Sequence, residues 1–210
     1  MARRKKEEAI VHQNRIASTA EDLFSKQGIG NTTMDEIAKK AGYSKATLYV
    51  YFTNKEEIVS FLTLRSMKKL KEMLEGALEG AKNSRDGFLA ICMALTDYQA
   101  EYPDYFERTL TCIQIDTNEQ EHSILNEAYQ IGEEINQTII NYLTTGIEQG
   151  ELCVSDNYFE TIFHMWGMIT GLIRLTKEKE EYIRLAGNLS KEEFLSDGFA
   201  KIYQTICVSK

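Results

Sequence analysis

The stretch from Thr33 to Lys55, TMDEIAKKAGYSKATLYVYFTNK, leaves the chain few choices. Met34, Ile37, Ala38 and Ala41 recur at i, i+3, i+4 and i+7, which places them on one face of a helix of about two turns. Gly42 follows the last of them, where a helix ends most cheaply in the left-handed conformation. Thr32 or Thr33 can cap this helix. Ser44 can cap a second one, Lys45–Phe52, by accepting a hydrogen bond from one of its first free N–H groups. Leu48 and Phe52 lie i,i+4 on the inward face of that second helix. Lys45, Ala46, Thr47, Tyr49, Val50 and Tyr51 are left to its other faces. Two short helices around a Gly-containing turn make either a plain helical hairpin or a helix-turn-helix, whose second helix enters the DNA major groove.

The full string, T-x-x-x-IA-x-x-AG-x-S-x-x-TLY-x-YF-x-x-KE-x-I, decides between them. Carried by Thr33, Ile37, Ala38, Ala41, Gly42, Ser44, Thr47, Leu48, Tyr49, Tyr51, Phe52, Lys55, Glu56 and Ile58, it closely resembles the DNA-binding signature of the tetracycline-repressor (TetR) family of bacterial transcription regulators. Ala46 stands where that family often has Gly. The resemblance implies an all-α homodimer: a three-helix DNA-binding head over 1–54 and a helical ligand-binding and dimerisation body over 55–210. It also implies a palindromic operator on double-stranded DNA, and repression relieved by a small-molecule effector. Thr33 and Ser44 then cap their helices. Lys45, Ala46, Thr47, Val50 and Tyr51 face base edges or neighbouring phosphates, and Tyr49 and Lys55 hold phosphates.

Charge is placed to suit such a molecule. The chain of 210 residues has a net charge of −8, yet residues 1–75 carry 14 Lys+Arg against 10 Asp+Glu, and the rest carries 10 against 22. A basic head on an acidic body meets phosphates at one end only. Arg3–Lys6 form a basic tail that can reach phosphates or the minor groove, as homeodomain arms do. The start MARRKKEEAI lacks an apolar run and is not read as a signal peptide. Cys92, Cys112, Cys153 and Cys207 show neither CxxC pairing nor a His at metal-ligand spacing, which points to reduced thiols in the cytoplasm. No cofactor, metal or membrane is called for, and no GxSxG, HExxH, Walker or GxGxxG motif marks an enzyme.

In chain order, the periodicity predicts a helix from about Glu7 to Gln27, with Ile16, Ala20, Leu23 and Phe24 inward. A long helix from Asn54 to about Gly80, capped by Asn54 or Thr53, joins head to body. Further helices are predicted over Arg85–Glu101 with Ser84 as cap, over Asp104–Ile115, and over Ile124–Gln149. The polar run Asp116–Ser123 reads as a loop. Ser155-Asp156-Asn157 cap the helix Tyr158–Lys177, and Lys191–Cys207 forms the last. Glu178–Glu181 reads as a solvated charge run.

Two residue sets in the body invite function. Tyr98, Tyr102, Tyr105, Phe106, Tyr129, Tyr142, Phe163 and Trp166 are aromatics on several helices that can line a pocket for an apolar or aromatic effector. Asp97, Glu101 and Glu107 nearby would favour a cation. Tyr158–Lys177 is apolar around most of its circumference and must bury more than one face. By the resemblance, Phe159, Ile162, Gly167 and Gly171 with Leu195, Phe199, Ile202 and Ile206 form a four-helix bundle with a second subunit. Two other readings remain open: a DNA-organising protein of the same fold without an effector, and a helical interaction scaffold.

Overall fold

The computed structural model describes residues 8–111, 124–154 and 157–208. Ten helices run through them: α1 Ala9–Gln27, α2 Met34–Ala41, α3 Lys45–Tyr51, α4 Lys55–Leu78, α5 Ser84–Glu101, α6 Pro103–Thr111, α7 Ile124–Glu148, α8 Tyr158–Glu178, α9 Glu180–Gly187 and α10 Lys191–Tyr203. The described residues fall into two compact units, 8–66 with 124–129, and 67–111 with 130–208. The tail Arg3–Lys6, the run Asp116–Ser123 and Ser155-Asp156 lie outside the described residues.

In the first unit α1, α2 and α3 pack on one another. Ile16, Ala17, Ala20 and Phe24 of α1, Ile37 and Ala38 of α2, Leu48 of α3, Phe52, and Ile58, Phe61 and Leu62 of α4 are buried together. Each such Leu, Ile or Phe contributes about 1.5–3 kcal/mol on burial. The local signals set the helix ends. Thr33 and Glu36 form a reciprocal capping box: Thr33 Oγ1 accepts from the Glu36 N–H at 3.2 Å, and the Glu36 carboxylate accepts from the Thr33 N–H at 2.8 Å. Thr32 is buried instead and donates to the Gly28 carbonyl. Gly42 ends α2 at φ 78°, ψ 27°, a left-handed position that a residue with a Cβ rarely adopts. Asn54 caps α4 by accepting from the Glu57 N–H at 2.8 Å.

In the second unit α10 packs on α8, α5 and α9. Ile162, Met165, Ile169 and Ile173 of α8, Leu195 and Phe199 of α10, and Phe88, Ile91, Cys92, Leu95 and Tyr98 of α5 are buried. The small residue that lets α8 and α10 approach is Gly198, where a Cβ would overlap the Leu172 side chain; Gly167 and Gly171 have open space around them. Asn83, rather than Ser84, caps α5. Ser84 is drawn into a knot. Its N–H and hydroxyl both donate to Glu151 at 2.7 Å, its hydroxyl shares a 2.9 Å hydrogen bond with Tyr203, and its carbonyl accepts from Tyr142 at 2.7 Å. α9 has little apolar periodicity to mark it in the sequence: Tyr182, Leu185 and the following Leu189 are exposed, and within the helix Ile183 is buried. Among the described residues no helix is long and apolar enough to cross a membrane.

Candidate nucleic-acid interface

α3 presents one strip of side chains to solvent. Successive residues turn by about 100° around a helix, so Lys45, Ala46, Tyr49 and Val50 fall within an arc of about 140°, with Val50 on the far side from the core residue Leu48. All four are exposed, Val50 at 77 %. An apolar side chain that open to water has no role in the fold of this unit. Thr47 and Tyr51, i,i+4 apart, occupy one flank between the strip and the core and are half-buried.

The strip begins at a capped and charged end. Ser44 accepts from the Thr47 N–H at 3.1 Å, and the Ser44 and Thr47 hydroxyls share a 2.7 Å hydrogen bond. Thr47 is therefore engaged in the cap. Lys45 Nζ pairs with Asp35 at 2.8 Å, and that carboxylate holds the ammonium above its ordinary value, chiefly by the hydrogen bond it accepts. The Glu36 carboxyl is held below its ordinary value by the Thr33 N–H, then by the Thr33 hydroxyl. Lys55 is half-buried and donates to the Ile29 carbonyl at 2.7 Å, tying the start of α4 to the α1–α2 loop. Its ammonium has three donors, so two stay available to an anion.

Beside the Tyr51 flank lies a group that sequence reasoning missed. His12 and Arg15 of α1 meet Tyr43 of the α2–α3 turn. His12 Nδ1 and Tyr43 Oη share a hydrogen bond of 2.7 Å, and Arg15 Nη1 donates to the same oxygen at 3.1 Å. The His12 ring lies 5.2 Å from the Tyr51 ring, centroid to centroid. Polar residues at i and i+3 on the face of α1 that packs near the turn were the available signal.

The body residues distribute less evenly than the sequence implied. Tyr98 and Phe106 are fully buried, Tyr105 is nearly so, and Tyr102 stacks on Tyr105 at 5.6 Å and lies 6.1 Å from Tyr98. These four come together at the α5–α6 corner. Tyr142 packs over Gly87 near the other end of α5, roughly 16 Å away along the helix at 1.5 Å per residue. Phe163 lies on the outer face of α8, its ring tilted against that of Phe159 with centroids 4.4 Å apart. Trp166 is half-buried on α8, and Tyr129 is half-buried in the first unit. Glu107 pairs with Arg174 at 3.3 Å, and Lys69 Nζ stands 5.6 Å from the Tyr102 ring centroid, so a resident cation already occupies that face. Of the residues assigned to dimerisation, Phe159, Gly167 and Gly171 are exposed and Ile202 is half-buried, whereas Ile162, Leu195, Phe199 and Ile206 are taken up by the protomer's own core.

One buried group in this unit stands out. Thr32, Thr63, Ser66, Ser84, Thr170 and Thr176 are buried and each makes a side-chain hydrogen bond. Gln99 on α5, 5 % exposed, is the carboxamide among the buried polar side chains of the described residues.

Comparison with known proteins agrees with this geometry. The family model "Bacterial regulatory proteins, tetR family" matches residues 16–60, which span the end of α1, both helices of the motif and the start of α4. The chain is 28% identical over 174 residues to the HTH-type transcriptional regulator SrpR of Pseudomonas putida, a match covering 82% of this chain and 78% of SrpR. It is 39% identical over 79 residues to the HTH-type transcriptional regulator TtgR of Pseudomonas putida, covering 38% of this chain and 37% of TtgR. In three dimensions it is similar to the ketosteroid transcriptional regulator KstR2 of Mycobacterium tuberculosis, with a TM-score of 0.64 at 16% identity over 94% of this chain and 95% of that one.

Proposed function

The chain belongs to the TetR family of bacterial transcriptional regulators, and on that premise we propose that it is a repressor that grips a palindromic operator as a homodimer and lets go when a small molecule enters its body. The observation that carries the DNA-binding part is the outward strip of α3, where Lys45, Ala46, Tyr49 and Val50 are exposed on a helix whose other faces the fold uses. An α-helix with its side chains is about 10–12 Å across and fills a major groove about 12 Å wide. Lys45 and Tyr49 supply polar readout, Val50 and Ala46 supply apolar contact with thymine methyl groups, and Thr33, Ser44, Thr47, Tyr51 and Lys55 fix the helix against the phosphate backbones. So short a list of base-reading groups leaves part of the specificity to DNA shape.

A second copy covers the exposed ridge Phe159, Phe163, Gly167, Gly171 and Leu175 of α8, which repeats every four residues with Met168 beside it. Two-fold symmetry makes this face self-complementary. It places two heads on successive major-groove faces, roughly 34–36 Å apart or a longer distance in phase. The effector binds within residues 55–210, near the α5–α6 aromatics and Gln99. It acts by binding the DNA-incompetent form better, since equal affinity for both forms shifts nothing.

Selection of bound duplexes from a random pool tests the reading. A palindrome with half-sites in helical phase is expected, and a compound that releases it should raise the melting temperature of the free protein and change Trp166 emission. No enriched sequence would defeat the DNA-binding reading; enrichment with no releasing compound in a broad screen would leave a DNA-organising protein in its place.

A further inference from the structure

Resting on the homodimer of the reading above, we infer that α9 docks on the second copy of the chain and, with α8, makes a pairing surface that the outward face of α10 does not supply. The two helices run on as one bent rod. Around Lys179 the helical hydrogen bonds continue: the Lys179 N–H donates to the Leu175 carbonyl at 2.9 Å, and the Ile183 N–H donates to the Lys179 carbonyl at 2.8 Å. The buried side continues too, because Ile162, Ile169, Thr176 and Ile183 recur every seven residues, about two helical turns. The exposed side keeps step with it. Met168, Leu175 and Tyr182 each stand one residue before a member of that buried series, and Gly171 and Leu185 each stand two residues after one. Tyr182 and Leu185, 70 % and 67 % exposed, therefore prolong the outward ridge of α8.

Area and symmetry both point to a second copy as the occupant. A stable pair buries about 800 Å² on each partner. At roughly 200 Å² for a whole large side chain, the exposed parts of Phe159, Phe163, Met168 and Leu175 come to about 400 Å², half of that. On the same basis Tyr182, Leu185 and Leu189 add about 350 Å². None of the large apolar side chains of α10 is exposed, and Glu192, Ser196, Asp197 and Lys201 make its outward face. In a two-fold pairing residue i meets j and j meets i. Gly167 and Gly171 leave open space on α8 where two helices can approach. Tyr182 follows Gly171 by eleven residues and Phe159 precedes it by twelve, so antiparallel helices crossing at Gly171 set Tyr182 against the partner's Phe159.

Sedimentation of the full chain over a concentration series, with circular dichroism beside it, tests the contact. Tyr182→Gln combined with Leu185→Gln keeps good helix formers at two exposed positions. It should weaken the dimer at least about 100-fold, since symmetry counts each lost contact twice, with helical content unchanged. In Leu185→Cys a water-soluble maleimide should label position 185 slowly in the dimer and faster on dilution to monomer, read by mass spectrometry against the exposed Cys153. Ser196→Arg, on the outward face of α10, should leave the dimer intact. A double variant that dimerises as wild type does, with position 185 labelled equally fast in dimer and monomer, would overturn the contact, leave the repressor reading standing and give the α9 face to a different protein. Monomers from Ser196→Arg but not from the double variant would also overturn it and return the pairing to α8 with α10. A wild-type chain that stays monomeric at micromolar concentration while binding full operators would overturn the homodimer and this contact together.

Discussion

Lys45 Nζ stands 2.8 Å from the Asp35 carboxylate, so the amine at the start of the recognition helix is engaged from the neighbouring helix before any DNA arrives. If the strip of α3 enters the groove as proposed, binding shares or breaks that pair and brings the Asp35 carboxylate near the phosphates. Asp35→Asn is therefore expected to tighten binding to every duplex and to steepen the salt slope by up to about 0.9. An exposed ion pair contributes little to folding, so the melting temperature should stay close to wild type. Affinity measured across a salt series checks this; weaker binding in the variant would mean that Asp35 positions Lys45 rather than restrains it.

Val50 is the most exposed apolar side chain of the recognition helix, at 77 %. Val50→Asn should redirect sequence preference at one base step, since a carboxamide pairs with adenine where valine meets a thymine methyl. Thr47→Ala, which loosens the Ser44 cap, should lower affinity without moving the preference. Repeating the selection with each variant separates the two; an unchanged consensus for Val50→Asn would place the base-reading residues elsewhere.

On α8 the Phe159 and Phe163 rings lie 4.4 Å apart, centroid to centroid, while 65 % and 46 % exposed, whereas Phe199 on α10 is 2 % exposed. Phe163→Glu should give folded monomers with the wild-type helical content and poor operator binding. Phe199→Glu should instead unfold the body, because it buries a charge with no partner. Sedimentation and circular dichroism of both variants give the answer; a dimeric Phe163→Glu would move the interface off this ridge.

Glu151 accepts from the Ser84 hydroxyl and then from the Ser84 N–H, and the two bonds hold its carboxyl below the ordinary 4.5. A group with a depressed folded value stabilises the fold fully above the ordinary carboxylate range and ceases to do so as pH falls through the folded value. Glu151→Gln should therefore melt below wild type at pH 7, and the gap should close as the pH drops under about 4.5. A gap that is constant from pH 7 to pH 3.5 would show that the carboxylate's charge is not what Ser84 holds.

Much of the head is legible in the sequence because its signals are local. Gly42, Ser44 and Thr33 each act within four residues of their own position, and the structure puts a left-handed turn and two side-chain caps there. The body is less legible because its decisions are made at a distance. Asn83 and Ser84 can both cap α5, and Glu151, 67 residues on, draws Ser84 away. Gly167, Gly171 and Gly198 are all small residues on helices, but only Gly198 lies against a helix of its own chain. An apolar aromatic in a helical pattern does not announce which neighbour it meets, so the sequence does not separate Tyr142 and Phe163 from the α5–α6 aromatics, which the fold keeps apart from them. Tyr43 lies about 30 residues from His12 and Arg15 in sequence, and the three form a group only through the packing of α1 on the turn.

Gln99 sits on the buried side of α5, one turn beyond Leu95 and two beyond Cys92, and is the carboxamide among the buried polar side chains of the described residues. A carboxamide at a position flanked by apolar residues is harder to satisfy than an apolar side chain, and a buried polar group left without a partner costs about 1–3 kcal/mol. A ligand that donates to and accepts from the carboxamide would recover it. Gln99→Leu, similar in size and apolar, should therefore raise the melting temperature of the free protein; each kcal/mol corresponds to about 2–4 °C for a chain of this length. The same variant should keep its affinity for operator DNA and lose the response to any releasing compound that carries a hydroxyl or amide, because that polar group would be buried with no partner. Thermal melts and DNA-release titrations of the two proteins test both halves. A lower melting temperature with an unchanged response would make Gln99 a packing residue and move the effector away from this face of α5.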